Sequence, residues 1–370
     1  MTSIIYVGMD VHTTNYTLCC YQMENDTIFA ATTMEPDYKN IVKYLTRVEQ
    51  NIGGDCHFLC GYEAGSLGYS LYHQLTGEGV DCTILAPSTM AITKKKRIKT
   101  DRRDASNIAK CLAYNTYSSV YVPTAQDDSI KEYIRMRNDA KDTVKKLKQQ
   151  TLAFCTRHGK RFTESRNYWT HKHLAWLKKL EFDDAILQET FNEYLTLYHQ
   201  AVDKINTFDK RIDEFAVSEN YEEKVKKLKC FIGIKNHTAL ATIVETGDFT
   251  RFPTAQHYAS YLGLVPGEDS SGGSIQRTGI TKAGNSHVRK LMVEAAQCYS
   301  RGKIGVKTKT IRDKQAGNEP KVIAYADRAN ERLKRKCYRI MFNSKRNIAV
   351  TAVARELACF VWGMMTDNTA

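Results

Sequence analysis

The sequence predicts a protein of mixed α/β and α class: an α/β domain over residues 1–122, a helical region with coiled-coil spacing over 123–222, and a mainly helical region over 223–370. Three observations carry this. The first 86 residues alternate short apolar runs with amphipathic ones in the order β-β-β-α-β-α-β. From about 126 to 215 the composition shifts to long polar helices. The run NIAVTAVARELACFVWGM (347–364) is an amphipathic-to-apolar helix suited to docking on a core.

Each element follows from its residues. IIYVGMD (4–10) is apolar and β-branched, as a strand requires. YTLCCYQM (16–23) and TIFAATTM (27–34) flank the polar turn Glu24-Asn25-Asp26 and form a hairpin. Tyr38, Ile41, Val42, Tyr44, Leu45 and Val48 have helical spacing within 37–52. CHFLCGYEA (56–64) is a strand, SLGYSLYHQL (66–75) a helix, and VDCTILA (80–86) a strand ended by Pro87, with a long helix then running to about 115. A three-strand meander followed by alternating helix and strand is the order of the RNase H-like fold, and the alternation requires parallel crossovers and covered sheet faces.

Further on, Leu187, Phe191, Tyr194, Tyr198, Ala201, Ile205, Phe208, Ile212 and Phe215 alternate steps of four and three, the spacing of a coiled-coil seam. Ile130, Ile134, Val144 and Leu147 form a weaker series that Arg137 interrupts. Both fit a helical hairpin with its tip near 157–185, where Trp169 and Trp176 lie. Residues 228–252 resemble a helix–hairpin–helix, and 263–291 are Gly-rich and basic.

Composition narrows the partners. The 370-residue chain is 42% hydrophobic and 26% charged, which is folded rather than disordered composition. Its net charge of +13 favours a polyanion, either nucleic acid or an anionic membrane. No stretch approaches the roughly 18 apolar residues of a membrane span. The N-terminus MTSIIYVGMD lacks the basic start of a signal peptide. The expectation is a cytoplasmic protein with a nucleic-acid partner and no membrane. Eleven cysteines without CxxC pairs, Cys56 and Cys60 among them, fit reduced thiols better than zinc.

Four acids stand out. Asp10 closes the first strand and Glu63 the fourth; Asp101 and Asp104, spaced i, i+3, share a face of the helix after the fifth strand. In the RNase H-like order these positions converge. Such a cluster suits Mg²⁺, a hard ion that takes oxygen ligands; two such ions about 4 Å apart stabilise both oxygens of a phosphoryl transfer. Singly, each acid reads as a turn or cap residue, Asp101 as an N-cap. Joint placement favours the metal. The run KKKRIKTDRRD (94–104) surrounds the acidic pair with Lys94, Lys95, Lys96, Arg97, Lys99, Arg102 and Arg103, a pattern for phosphate contact rather than only a solvated face.

The segment SSGGS (270–274) is followed by Arg277, Lys282, His287, Arg289 and Lys290, a second set of candidate nucleic-acid contacts. Gly272, Gly273, Gly279 and Gly284 allow close backbone approach to a phosphate. A serine beside basic groups can attack DNA, although a flexible Ser/Gly loop over a basic surface is the better account of these residues alone.

GMDVH (8–12), YEAGSLGYSLY (62–72), KTDRRDA (99–105), YLGLVPGEDSSGG (261–273), GITKAGNSHVRKLMVEAA (279–296) and NIAVTAVARELA (347–358) together resemble the DEDD transposases of bacterial insertion sequences, the IS-one-ten family of bridge-RNA-guided recombinases. The resemblance spans nearly the whole chain in order. It implies a RuvC-like N-terminal domain whose four acids are Asp10, Glu63, Asp101 and Asp104. It implies a C-terminal transposase domain whose serine nucleophile falls on Ser271, with Ser270 its neighbour and competitor. It further implies a Mg²⁺-dependent composite site shared between subunits of a homo-oligomer, dimer or tetramer. The resemblance also implies that DNA is cut and rejoined through a phosphoserine intermediate, and that a structured non-coding bridge RNA pairs with donor and target double-stranded DNA. One departure stands at the hairpin, where a Gly-hydrophobic-Gly motif reads Gly233-Ile234-Lys235; Lys235 or Asn236 is then the candidate for backbone contact. Two other functions remain open: a RuvC-like nuclease with water as nucleophile, and a non-catalytic nucleic-acid scaffold.

Overall fold

The computed structural model describes residues 3–53, 55–90, 100–268 and 276–369, and for Ser88 and Arg277 the backbone only. Lys94, Lys95, Lys96, Arg97, Lys99, Ser270 and Ser271 therefore lie outside the described residues, as do Gly272 and Gly273. The chain divides into two compact units, 1–122 and 123–370.

In the first unit, strands β1 (Ser3–Val11), β2 (Tyr16–Gln22) and β3 (Thr27–Met34) form the meander. Helix α1 (Tyr38–Ile52) is capped by Asp37, whose side chain accepts from Lys39 N, and leads to β4 (Cys56–Glu63). Helix α2 (Ser70–Gly77) and strand β5 (Asp81–Leu85) follow, and α3 (Asp101–Ala113) ends the set. Among the described residues these strands make a five-stranded sheet in the order β3-β2-β1-β4-β5. β1 runs antiparallel to β2 and parallel to β4, and β5 is parallel to β4. Helix α2 starts later than its apolar spacing implies because Gly68 takes a left-handed turn at φ +61°.

Side-chain alternation sorts the sheet into two faces. Ile5, Val7, Met9, Leu18 and Cys20 point to one side and pack with Ile41, Leu45, Leu71 and Leu75 of α1 and α2. Cys19 and Tyr21 point to the other and pack on Ala105 and Ala109 of α3. Gly8 and Gly61 are register partners in β1 and β4. A Cβ on Gly8 would lie 2.0 Å from the Ala105 carbonyl oxygen, and one on Gly61 would lie 2.9 Å from Leu112 Cδ2. Two paired positions without side chains on adjacent strands thus form the trough in which α3 lies. Asp10 and Glu63, two residues beyond each glycine, share that face.

The second unit begins with α4 (Ala125–Arg157), passes through α5 (His171–Lys178) and returns along α6 (Ala185–Ala216). α4 and α6 are antiparallel. Tyr133 meets Phe208 and Phe215, Arg137 makes a two-pronged contact with Asp209 at 2.7 and 2.9 Å, and Phe154 meets Phe191. The apolar series on α6 lies on the paired face, with Phe191, Tyr198 and Ile212 buried. Arg137, an interruption in the sequence pattern, is satisfied by Asp209. At the hairpin tip a small cluster gathers Phe154, Leu177, Phe182 and Phe191 with Trp169 and Trp176.

The rest of the unit comprises α7 (Glu222–Lys229), α8 (Asn236–Thr246), α9 (Ala255–Tyr261), the short pair β6 (Pro266–Glu268) and β7 (Arg277–Ile280), α10 (Ser286–Ala296), α11 (Lys309–Gln315), α12 (Pro320–Asn343) and α13 (Arg346–Met365). Helix α13 is long and apolar enough to cross a membrane, which corrects the expectation that no stretch is. Its residues Ala354, Leu357, Ala358 and Val361 are buried in the core shared with α7 to α10 and α12, and Trp362 Nε1 donates to the carbonyls of Phe249 and Phe252.

Candidate functional site

The end of β1 and the first turn of α3 bring acids together. Asp10, His12 and Asp101 each offer a ligand atom, and these atoms lie within 4.8 Å of one another. His12 Nε2 is 3.3 Å from Asp10 Oδ1. Asn15 Nδ2 donates to Asp101 Oδ2 at 3.4 Å, tying the β1–β2 turn to α3. The helix begins at Asp101, so this residue stands in its first turn with Asp104, and Thr100, not Asp101, is the cap position. Both carboxylates face the positive end of the helix dipole, which stabilises them.

Asp10 has its carboxyl pKa raised. Burial is the first cause; His12 opposes it, while the charges of Asp101 and Asp104 add to it. Asp104 is thus felt at Asp10, although it stands outside the 4.8 Å group. Glu63 is also outside that group; it ends β4, on the face shared with Asp10, exposed and paired in register with Leu85. Of the four acids named from sequence, Asp10 and Asp101 are drawn together with a histidine, Asp104 is close enough for its charge to act on Asp10, and Glu63 ends the neighbouring strand β4 outside the group. His12 was missed from sequence. It stands one residue past the end of β1, two residues after Asp10 in GMDVH. A cluster in which the Asp101 and Asp104 charges raise the Asp10 pKa fits a divalent cation, which removes that repulsion. A histidine nitrogen in the set also admits a softer divalent metal such as Mn²⁺.

The basic residues divide. Arg102 and Arg103 are exposed in the first turn of α3. His287 and Lys290 are exposed on α10 and line a cavity of about 800 Å³ at the root of the hairpin. Arg289 is committed to the fold, donating through Nη1 to the carbonyls of Leu262 and Ala283 at 2.9 Å each. Lys282 sits at φ +56° with its amide donating to the Gly263 carbonyl. Gly284 allows a close backbone approach, but the approaching group is the Tyr261 carbonyl, 1.9 Å from where a Cβ would stand. Asn285 caps α10 by accepting from Val288 N and donates to Glu245, which Arg135 holds in turn at 2.9 and 3.0 Å. Burial raises the Glu245 pKa, yet these hydrogen bonds and the Arg135 charge outweigh it and hold the carboxyl below its ordinary value.

Residues 7–158 match a transposase profile of the DEDD type, which defines the class: a DNA transposase built on a DEDD domain. Residues 225–309 match the profile described as Transposase IS116/IS110/IS902 family. The Sinorhizobium fredii protein y4qE, whose name describes a transposase, is 34% identical over 313 residues, 84% of this chain and 76% of that one. The transposase for insertion sequence element IS1533 of Leptospira borgpetersenii is 29% identical over 339 residues, 90% of this chain and 95% of its own. The chain belongs to the IS110 family of transposases.

Proposed function

We propose that this transposase cuts and rejoins DNA through a covalent phosphoserine, with Ser271 as nucleophile and a Mg²⁺ centre held by Asp10, Glu63, Asp101 and Asp104. The observation that carries it is the convergence of Asp10, His12 and Asp101 at the end of β1. Mg²⁺ bound there would supply charge to polarise the scissile phosphate. The chain's own residues do the remainder. The carboxylates would hold that cation, and Arg102 and Arg103 steady the flanking backbone. Ser271 Oγ attacks phosphorus and gives up its proton, and the backbone P–O bond breaks to leave a free hydroxyl. That hydroxyl later attacks the phosphoserine of a partner strand, forming a new P–O bond as the P–Oγ bond breaks and the serine takes back a proton, so the bond energy is retained and no nucleotide cofactor is required.

The same proposal includes guidance by a structured bridge RNA bound along the basic surfaces, and a homo-oligomer paired through the α4–α6 hairpin by a coiled coil. Leu147, Leu197 and Ala201 line a groove on that hairpin, consistent with such pairing. The test is Ser271→Ala. It abolishes strand transfer and the covalent protein–DNA adduct seen on denaturing gels. If Ser271→Ala still cuts DNA while Asp10→Asn does not, a water-using nuclease replaces the proposal. If Asp10→Asn recombines normally, the metal role is lost as well.

A further inference from the structure

A second cavity of the helical unit, of about 640 Å³, is bounded by the turn that joins α7 to α8, by helices α11 and α12, and by the loop 301–308. That loop is fastened to α12 at three points. Tyr338 Oη donates to the Gly302 carbonyl at 2.8 Å, Lys334 Nζ donates to the Lys303 carbonyl at 2.9 Å, and Lys307 pairs with Asp327 at 2.7 Å. Gly302 takes φ +75°, and a Cβ there would stand 3.4 Å from the Lys334 ammonium. Asn330, buried on α12, accepts from Ile232 N at 2.9 Å and donates to the Cys230 carbonyl at 3.0 Å, which fixes the α7–α8 turn. The cavity is thus built from anchored backbone, and its size is that of a small-molecule site.

Its walls are mainly apolar, with Ile232, Val306 and Ile311 contributing. Into this setting α11 and α12 send ammonium groups. Lys334 is 6% exposed, yet among the described residues its Nζ has one partner, the Lys303 carbonyl, and no ion pair. Lys314, half-buried, likewise donates to one carbonyl, that of Ile234 at 2.6 Å, and forms no ion pair among them. An ammonium carries three N–H donors, so neither is saturated by the protein. The acids bordering the cavity are engaged elsewhere: Asp327 with Lys307 and Gln315 Nε2, and Glu331 with Arg335. Lys131 shows the ordinary arrangement. It is 5% exposed and pairs with Asp128 at 2.5 Å. Buried charges are paired because desolvation is otherwise uncompensated. Lys334 has the burial without the counter-ion.

We infer that this cavity binds a small amphipathic anion, a molecule with one carboxylate head and an apolar body, whose head pairs with Lys334 and Lys314 and whose body lies against Ile232, Val306 and Ile311. A nucleic-acid backbone meets half of that description. It brings the charge, but its phosphates come with sugars and not with an apolar body that covers the walls. The ligand touches both the α7–α8 turn and the loop 301–308, so it acts as an effector that stabilises this part of the helical unit. The inference stands apart from the chemistry proposed for the acids and Ser271.

The test is calorimetric titration of the full-length protein with decanoate, below its micellar range, and with decanol, which has the same chain without the charge. Wild-type protein binds decanoate at least about tenfold more tightly than decanol, as a charge-assisted hydrogen bond at a buried site requires. Lys334→Met keeps the length of the side chain and loses the ammonium; it abolishes that preference while retaining wild-type circular dichroism. Val306→Asp, at a wall position that is itself exposed, weakens decanoate binding by repulsion. If Lys334→Met does not fold, Val306→Asp decides, and an unchanged decanoate affinity there overturns the site. It is equally overturned by a wild type that does not bind decanoate, by equal affinity for acid and alcohol, or by a folded Lys334→Met that binds decanoate as the wild type does. Displacement of decanoate by a short DNA duplex assigns the ammonium groups to nucleic-acid phosphate and overturns the small-molecule reading.

Discussion

Asp10 is a carboxylate placed where its neighbours disfavour its charge. A carboxyl whose pKa is raised on folding contributes stability below its ordinary value of 3.8 and loses that contribution as pH rises through the raised folded value. Asp10→Asn removes the charge at similar shape. In EDTA at neutral pH the variant melts above the wild type, and the gap closes as pH falls into the acid range. Added Mg²⁺ reverses the order by raising only the wild-type Tm. A variant that melts below the wild type in EDTA contradicts the repulsion described. The residue scale also marks where sequence legibility stops. Asp10, Asp101 and Asp104 are legible because a strand end and an i, i+3 pair have fixed geometry. His12 is not legible because it stands past the last residue of β1, where no periodicity fixes the direction of its side chain. Arg289 was misleading in another way: its charge suggests a polyanion, while its Nη1 donates to the chain's own carbonyls.

At the scale of elements, α3 and β1 depend on an absent side chain. Gly8→Ala places a methyl group 2.0 Å from the Ala105 oxygen and 2.5 Å from the Ala109 nitrogen, both backbone atoms that cannot rotate aside. The cost is at least the roughly 1–3 kcal/mol of ordinary overpacking. It appears as an earlier midpoint in urea unfolding, together with weaker metal binding as α3 carries Asp101 away from Asp10. An unchanged midpoint is incompatible with the packing described. The meander and the helices α1 and α13 are legible from apolar spacing because each buries one face or nearly all of itself. The β6–β7 pair is not, since three and four residues rich in Gly and Pro carry too little periodicity. The start of α2 is likewise set by the turn conformation of Gly68 and not by apolar spacing.

The whole molecule consists of two units with separate cores, 1–122 and 123–370. Independent cores predict two calorimetric transitions. Mg²⁺ at about one hundred times its Kd stabilises a unit that binds it by about 2.7 kcal/mol. Only the transition of the acid-bearing unit moves, while the other stays in place. A single transition that shifts as a block contradicts independent unfolding. The basic excess and the order of strands and helices were sufficient to read an α/β nuclease-like unit followed by helices. The close trough made by Gly8 and Gly61 depends on register between strands, which pairs residues 53 positions apart and is invisible to local patterns.

The hairpin of α4 and α6 has a further consequence, for insulation. A helix of 33 residues extends about 50 Å at 1.5 Å per residue. At physiological ionic strength the screening length is about 8 Å, so some six screening lengths separate the aromatic tip from the root. The cavity by the root reaches along α4 as far as Asp142, about 22 Å or nearly three screening lengths from the helix end, so a change of charge at Lys172 or Lys178, on α5 at the tip, is strongly screened there. Whatever the tip communicates to that end must travel as a displacement of packed side chains along the rod, or through another molecule that grips both.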